Sequence, residues 1–367
     1  MPKRRPAKKR SPAAAVLLAV LCLLLLAVSR YLDSRSEPAA SVLAPEAAQA
    51  DASGLEVHFL DIGQGDSALL FCGDETLLID GGKVKNNQKL IARLKELEVD
   101  HLDAVICSHP DEDHCGGLSA VLASTRTDAF YCSVDSWHTK VFSDVTKYVE
   151  QQGISVTVPQ AGDTFAFSDA SVEFLGPVVD YGDDPNEGSL VARVRYGETS
   201  FLFTGDMGFE AEDDMLAAGV DVSATVLKVA HHGSAGSSST EFLQAVHPQY
   251  AVISVGADND YGHPTEAALN RLSACGIPVY RTDLLGEIIA VSDGKTVTMT
   301  TASNETPSAD AASQPKGSYG YVGNSSSKVV HFAGCGKLPG ESNRVYFASL
   351  DEALAAGYRK HASCLGS

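Results

Sequence analysis

Residues Ser108-His-Pro-Asp-Glu-Asp-His-Cys-Gly-Gly117 place His109, Asp111, Asp113 and His114 within six positions. The stretch before them, His101-Leu-Asp-Ala-Val-Ile-Cys107, reads as a short buried strand. The stretch after them, Gly116-Gly117-Leu118, opens an apolar, helix-like run to Leu122. A strand that stops and releases a tight turn presents its polar side chains at a sheet edge, facing one point. Imidazole and carboxylate are what a divalent cation needs from a protein. Asp, Glu and Pro also build ordinary solvated turns, so this reading needs partners from elsewhere in the chain.

Four other segments repeat the design of a hydrophobic strand ending in a ligand-type residue. They are Ile79-Asp80-Gly81-Gly82, Phe201-Leu-Phe-Thr204-Gly205-Asp206, Val226-Leu-Lys-Val-Ala-His231-His232-Gly233-Ser234 and Ser254-Val-Gly-Ala-Asp-Asn-Asp-Tyr261-Gly262-His263-Pro264. A lone His at a strand end is most often a hydrogen-bonded structural residue. Five such ends in one domain call for a shared ion site. Strand-like runs between residues 55 and 300, with helix-like runs at 87–97, 144–151, 210–218, 240–246 and 265–274, imply two packed sheets with helices outside.

The order and wording of these motifs resemble the metallo-β-lactamase superfamily, and within it the hydrolase domain of the ComEC/Rec2 group of competence proteins. The matching stretches are Phe59-Leu-Asp-Ile-Gly-Gln-Gly-Asp-Ser67, Leu77-Leu-Ile-Asp-Gly-Gly82, Ser108 to His114, Ser189-Leu-Val191, Thr204-Gly-Asp206, Leu227 to Ser234 and Tyr261-Gly-His-Pro264. The resemblance implies an α+β, four-layer αββα sandwich with one or two divalent metals, zinc or manganese, between the sheet edges. The superfamily's His-x-His-x-Asp-His motif has Asp111 in its second His position here. Carried over residue by residue, His109, Asp111 and Asp206 would hold one metal. Asp113, His114, Asp206 and a later His would hold the other, with Asp206 bridging. His232-Gly-Ser234 fits the closing ligand better than His231, which is then left near the ligands or as an acid. His263 would sit near the substrate phosphate or donate a proton, and Asp113 could hold the attacking water. Asp80 would orient a His ligand, and Gln64, Asp66 and Ser67 would line the floor or simply form a turn. The family's middle His is missing; Asn186 and Ser189 stand in its place, which leaves one site oxygen-rich and suited to a harder ion.

The net charge is -19, although six of the first ten residues are Lys or Arg, which leaves about -25 for the rest. That balance argues against a broad basic nucleic-acid-binding face. It does not exclude a nuclease, because bound cations supply positive charge locally. The eight Cys have no disulfide-framework spacing, and Cys115 reads as a buried thiol beside the ligands.

Residues 1–30 combine this basic flank with an uncharged run, Ala13 to Val28. They read as a single-pass membrane anchor, or as a signal peptide if cleaved, with the remainder of the chain facing outward. Residues 31–54 read as a stalk, 55–301 as the hydrolase domain, 302–318 as a linker and 319–367 as a small module. His331-Phe-Ala-Gly-Cys335 and His361-Ala-Ser-Cys364 have the spacing of a structural zinc site. The stretches Tyr321 to Lys328, Asn343 to Phe347 and Glu352 to Tyr358 resemble the zinc-binding domain of the Ada DNA-repair protein.

The expected function is a metal-dependent phosphodiesterase, a nuclease acting on DNA at the outer face of the membrane and related to DNA uptake. The alternatives are another superfamily hydrolase, acting on a phosphocholine ester or a lactam, and a non-catalytic binding protein. A lactamase normally keeps the missing middle His; intact His109, Asp113, His114 and Asp206 count against a degenerate site.

Overall fold

The computed structural model describes residues 54–257, 259–301, 321–324, 327–332, 344–347 and 350–361. The expected anchor, stalk and linker lie outside these residues. Among the described residues no helix is long and apolar enough to cross a membrane.

The strands in chain order are Leu55–Phe59 (β1), Ala68–Cys72 (β2), Glu75–Ile79 (β3), His101–Cys107 (β4), Arg126–Cys132 (β5), Val156–Thr157 (β6), Thr164–Phe167 (β7), Ala170–Gly176 (β8), Val191–Tyr196 (β9), Thr199–Phe203 (β10), Val226–Lys228 (β11), Tyr250–Ile253 (β12), Val279–Arg281 (β13), Ile288–Ser292 (β14) and Val297–Thr301 (β15). They form two sheets, ordered β15-β14-β1-β2-β3-β4-β5-β6 and β13-β12-β11-β10-β9-β8-β7. Each sheet changes from antiparallel hairpins to parallel strands, at β3–β4 in the first and at β10–β11 in the second.

Period-two alternation explains why the sheets stack. Leu77, Ile79, Ala104 and Ile106 of the first sheet and Phe201, Phe203, Val226 and Val252 of the second share one buried core. Leu78, Val105 and Cys107 point the other way, into a core completed by helices Asn87–Glu96 (α1), Leu118–Ser124 (α3) and Lys140–Gln151 (α4). Leu202, Leu227, Ala251 and Ile253 likewise meet helices Phe209–Ala217 (α5), Thr240–Val246 (α6) and Glu266–Ala274 (α7). The result is helix, sheet, sheet, helix, with both faces of each sheet buried. A four-residue helix, Glu112–Cys115 (α2), stands between β4 and α3.

The parallel strands dictate where polar chemistry can go. Their chains exit at one end of the sandwich, and the ligand-type residues follow directly. One expectation changes here. The run Val226 to Ala230 is not all strand: β11 stops at Lys228, and Ala230–Gly233 forms a tight 3-10 turn carrying both histidines.

Three more strands, Tyr321–Asn324 (β16), Val329–Phe332 (β17) and Arg344–Phe347 (β18), join Arg359–Lys360 (β19) in a separate small sheet. Val330, Phe347, Ala353 and Tyr358 form its core.

Candidate metal centre

Backbone contacts between loops fix the frame. Gly81 N–H donates to the His114 carbonyl (2.7 Å) and Gly117 N–H to the Gly82 carbonyl (2.8 Å). The two chains pass so closely that a Cβ on Gly117 would run into the Gly81 carbonyl, so the β3 exit and the α2 turn are locked together. Asp66 N–H donates to the Asp113 carbonyl (3.0 Å), and His231 N–H to the Gly205 carbonyl (3.0 Å). Thr204 Oγ1 donates to the Lys228 carbonyl (2.7 Å), which ties the ends of β10 and β11. His231 and His232 both have left-handed backbone, φ 52° and 54°. This conformation costs energy for a residue with a Cβ. Two consecutive left-handed residues turn the chain sharply enough to send the two imidazoles in different directions.

The imidazoles use their nitrogens unequally. His114 Nδ1 lies 2.9 Å from Asp80 Oδ2. Asp80 is itself held by Ser108 N–H (2.7 Å) and Ser108 Oγ (2.8 Å). His232 Nδ1 is 2.9 Å from the Ser254 carbonyl and 3.1 Å from Asp66 Oδ1. His109 Nδ1 is 3.1 Å from Ser108 Oγ and 3.3 Å from Ser189 Oγ. The Nε2 atoms of His109, His114 and His232 are all buried with no hydrogen-bond partner, and so is Asp206 Oδ1.

These orphaned atoms converge. His114 Nε2 is 3.0 Å from Asp206 Oδ1, without hydrogen-bond alignment. His232 Nε2 is 3.5 Å from Asp206 Oδ2 and 3.7 Å from Asp113 Oδ2. His109 Nε2 faces Asp111 Oδ2 at 3.9 Å, and its ring lies 4.1 Å from that of His114. A buried nitrogen lone pair without a donor is costly. Three of them beside carboxylates are the donor set of a divalent cation.

Asp66, His114, Asp206 and His232 can bring one ligand atom each within 4.8 Å of one another. The two carboxylates of this set lie on opposite sides of the imidazoles. Asp206 faces the Nε2 atoms, whereas Asp66 faces the Nδ1 atoms of His232 and, at 3.9 Å, His114. Asp66 therefore braces the rings from the Nδ1 side, and Asp206 is the carboxylate on the Nε2 side.

The remaining sequence-predicted residues sit around this core. Gln64 Oε1 accepts from Gly256 N–H (3.1 Å), and Ser67 Oγ donates to the Asp80 carbonyl (3.1 Å), so both staple backbone. Ser189 Oγ accepts from Asp206 N–H (3.1 Å) as well as meeting His109. Asn186 gives its carbonyl to Ser189 N–H (3.0 Å), and its side-chain oxygen is buried without a partner. His231 is partly exposed, with Nε2 3.6 Å from Asp206 Oδ2. His263 packs 5.6 Å from the His231 ring and 6.4 Å from the His232 ring. Cys115 donates to the Pro110 carbonyl (3.1 Å) within the helix-side core.

Lys228 was not singled out by sequence reasoning. It is a buried cation at the end of an apolar strand, and its Nζ pairs with Asp66 Oδ2 at 2.5 Å. A Lys inside such a run demands a carboxylate partner, and that demand was the available signal. Asn259 was also missed, and its only signal is its place in a Gly- and Asp-rich loop.

The electrostatics follow the same division. Burial disfavours charge on His114, but the carboxylates of Asp206 and Asp80 outweigh it and raise its pKa well above the usual value. Burial would raise Asp206, yet His114 and His232 hold it well below the carboxylate range. Asp66 is held at about 2 against burial by Lys228 and His232. Burial and the neighbouring His114 push His109 well down. Burial, His232 and His231 bring His263 to about 4.

In the small module, His331 and His361 stack with ring centroids 4.1 Å apart, and His331 Nδ1 is buried without a partner. Cys335 and Cys364 lie outside the described residues.

A sandwich of this kind, with its histidines and carboxylates gathered at the strand exits, is matched over residues 60–257 by the metallo-beta-lactamase superfamily, and the chain belongs to that superfamily. Among individual relatives, it is 31% identical over 251 residues to ComE operon protein 3 of Bacillus subtilis, covering 64% of this chain and 32% of that protein. It is 34% identical over 287 residues to the competence protein ComA of Neisseria gonorrhoeae, covering 76% and 38%. It is 30% identical over 241 residues to recombination protein 2 of Haemophilus influenzae, covering 64% and 28%. The chain thus spans about a third of the length of these relatives.

Proposed function

We propose that this chain is a metal-dependent phosphodiesterase, a nuclease acting on DNA at the outer face of a membrane. The observation that carries the reading is the set of three buried, partnerless Nε2 atoms, those of His114 and His232 facing Asp206 and that of His109 facing Asp111. The competence-protein relatives support a DNA-related role. His109, Asp111 and Asp206 would hold one divalent ion, and Asp113, His114, Asp206 and His232 a second, zinc or manganese. Bound there, such ions supply a water activated near neutral pH and offset negative charge developing on phosphate.

The protein's own groups do the rest. Asp80 and the Ser254 carbonyl fix the tautomers of His114 and His232, so that their Nε2 lone pairs face inward. Asp113, 3.7 Å from His232 Nε2, would orient the attacking water. His231, partly exposed beside Asp206, would take at Nε2 the proton that the attacking water sheds and return it to the leaving oxygen. His263, its ring 5.6 Å from that of His231, would sit near the substrate phosphate or donate a proton.

The basic, apolar N-terminal segment would anchor the chain with its catalytic domain outside. The His331–His361 pair would bind a structural zinc together with Cys335 and Cys364, in an Ada-like module.

Incubating the purified protein with single- and double-stranded DNA, with manganese, zinc or EDTA, tests the reading. Metal-dependent cleavage that EDTA abolishes is expected. Hydrolysis of a phosphocholine ester or a lactam, with no cleavage of DNA under any ion, would replace it.

A further inference from the structure

The mouth of the centre holds an aromatic side chain that the chemistry above does not use. Tyr261 is 58% exposed, the most exposed large apolar side chain among the described residues. Its loop is built and held in place. Asn259 Oδ1 accepts from the N–H groups of Tyr261 (3.2 Å) and His263 (2.9 Å), while Asn259 Nδ2 donates to the carbonyls of Gly256 (2.8 Å) and His263 (2.7 Å). The Tyr261 ring leans on His263, with centroids 5.7 Å apart and planes 24° from parallel. Its hydroxyl accepts from Lys83 Nζ at 3.0 Å, and the ammonium stays at that edge, 4.8 Å from the ring centre. Lys83 is also 3.8 Å from Asp113 Oδ2, so one cation links the aromatic ring to the metal centre.

A clamped, open aromatic face beside a cation has a definite complement. A choline headgroup would seek the ring but meet like charge from Lys83. A nucleobase joined to a phosphate matches both groups: the base covers the ring and the phosphate faces the ammonium. In a duplex, both faces of an internal base are already covered by its neighbours, so the base that stacks here must be unpaired. The carboxylates of Asp111 and Asp113 would repel a polyanion that had no such hold.

We propose that Tyr261 is the stacking platform for an unpaired base of single-stranded DNA, with the adjoining phosphate at Lys83, and that this contact gives the enzyme its preference for single strands. The inference rests on the nuclease reading for its substrate. Its test compares a thymidine oligonucleotide, an abasic oligonucleotide of equal length and a duplex. Wild type, Tyr261→Ala and Tyr261→Phe are measured for kcat/KM with manganese, and for Kd by fluorescence anisotropy in EDTA.

In wild type the thymidine strand should be favoured over both the abasic strand and the duplex. Tyr261→Ala should lower the thymidine-to-abasic ratio about tenfold, chiefly through KM and Kd, and Tyr261→Phe should retain it. An unchanged ratio in Tyr261→Ala, with all variants cleaving DNA, overturns the platform and leaves the nuclease standing. A ring-dependent Kd ratio with no cleavage of any strand keeps the platform and removes the nuclease. Equal binding of thymidine and abasic strands by wild type also overturns the proposal.

Discussion

Strand β4 has a His and carboxylate cluster at each end, and only one of them has the makings of a metal centre. At its start, His101 lies between Asp128 (Nε2 to Oδ2, 3.0 Å) and Asp103 (Nδ1 to Oδ2, 3.9 Å). These side chains are 36%, 47% and 31% exposed, respectively. Asp103 accepts from Thr76 N–H (2.7 Å) and Asp128 pairs with Arg126 (3.2 Å). Both nitrogens of His101 face carboxylates, and water reaches the rest. Beyond the other end of the strand, His109 and His114 are fully buried, and each has its Nδ1 engaged and its Nε2 orphaned. The residue types are the same. What separates the two clusters is that the second cannot satisfy itself from protein or solvent. A burial that leaves lone pairs facing one another carries a cost that a cation between them would relieve.

Substitutions can break or sharpen this contrast. The largest effect is expected from Asp206→Asn, which removes the carboxylate facing three imidazoles. Turnover of a single-stranded oligonucleotide should fall to background, and bound metal, measured by elemental analysis, should fall with it. Full turnover in this variant would take Asp206 out of the centre.

Lys228→Met leaves Asp66 buried with only the imidazoles of His232 and His114 beside it. Denaturant unfolding of the metal-free protein should show a loss of about 3–5 kcal/mol. Adding Asp66→Asn to it should recover part of that loss. If the single variant is as stable as wild type, the brace is not electrostatic.

Asp80→Asn keeps the shape but weakens the hold on His114. Metal affinity, read by competition with a chelating dye, should fall about 10- to 100-fold, while the far-ultraviolet circular dichroism stays the same. His101→Ala should do least. Stability should change by no more than about 0.5 kcal/mol, and the metal content should not change. A drop in bound metal in this variant would erase the distinction between the two ends of β4.

Much of the sandwich and the centre could be read from the chain. Short apolar runs such as Leu77 to Ile79 and Phe201 to Phe203 marked strands, and Asp80, His109, Asp206 and His232 lie within a few residues of the ends of β3, β4, β10 and β11. Partnerships set only by the tertiary fold were harder to read. Asp66 stands in a Gly-rich turn and meets Lys228 across 162 positions, so sequence could offer it only as a turn or floor residue. The end of β11 at Lys228 was equally hidden, because Val229 and Ala230 keep the strand's composition while the backbone has already left it. Tyr261 could be quoted as part of a motif, but its exposure and its contact with Lys83 depend on the packing of two distant loops.

The Asp66–Lys228 pair has one more consequence. It supplies the counter-charge behind the histidines from within the chain, so the scaffold does not have to borrow that charge from whatever fills the cavity. An ion could then enter a site whose backbone frame is already held by the loops around it.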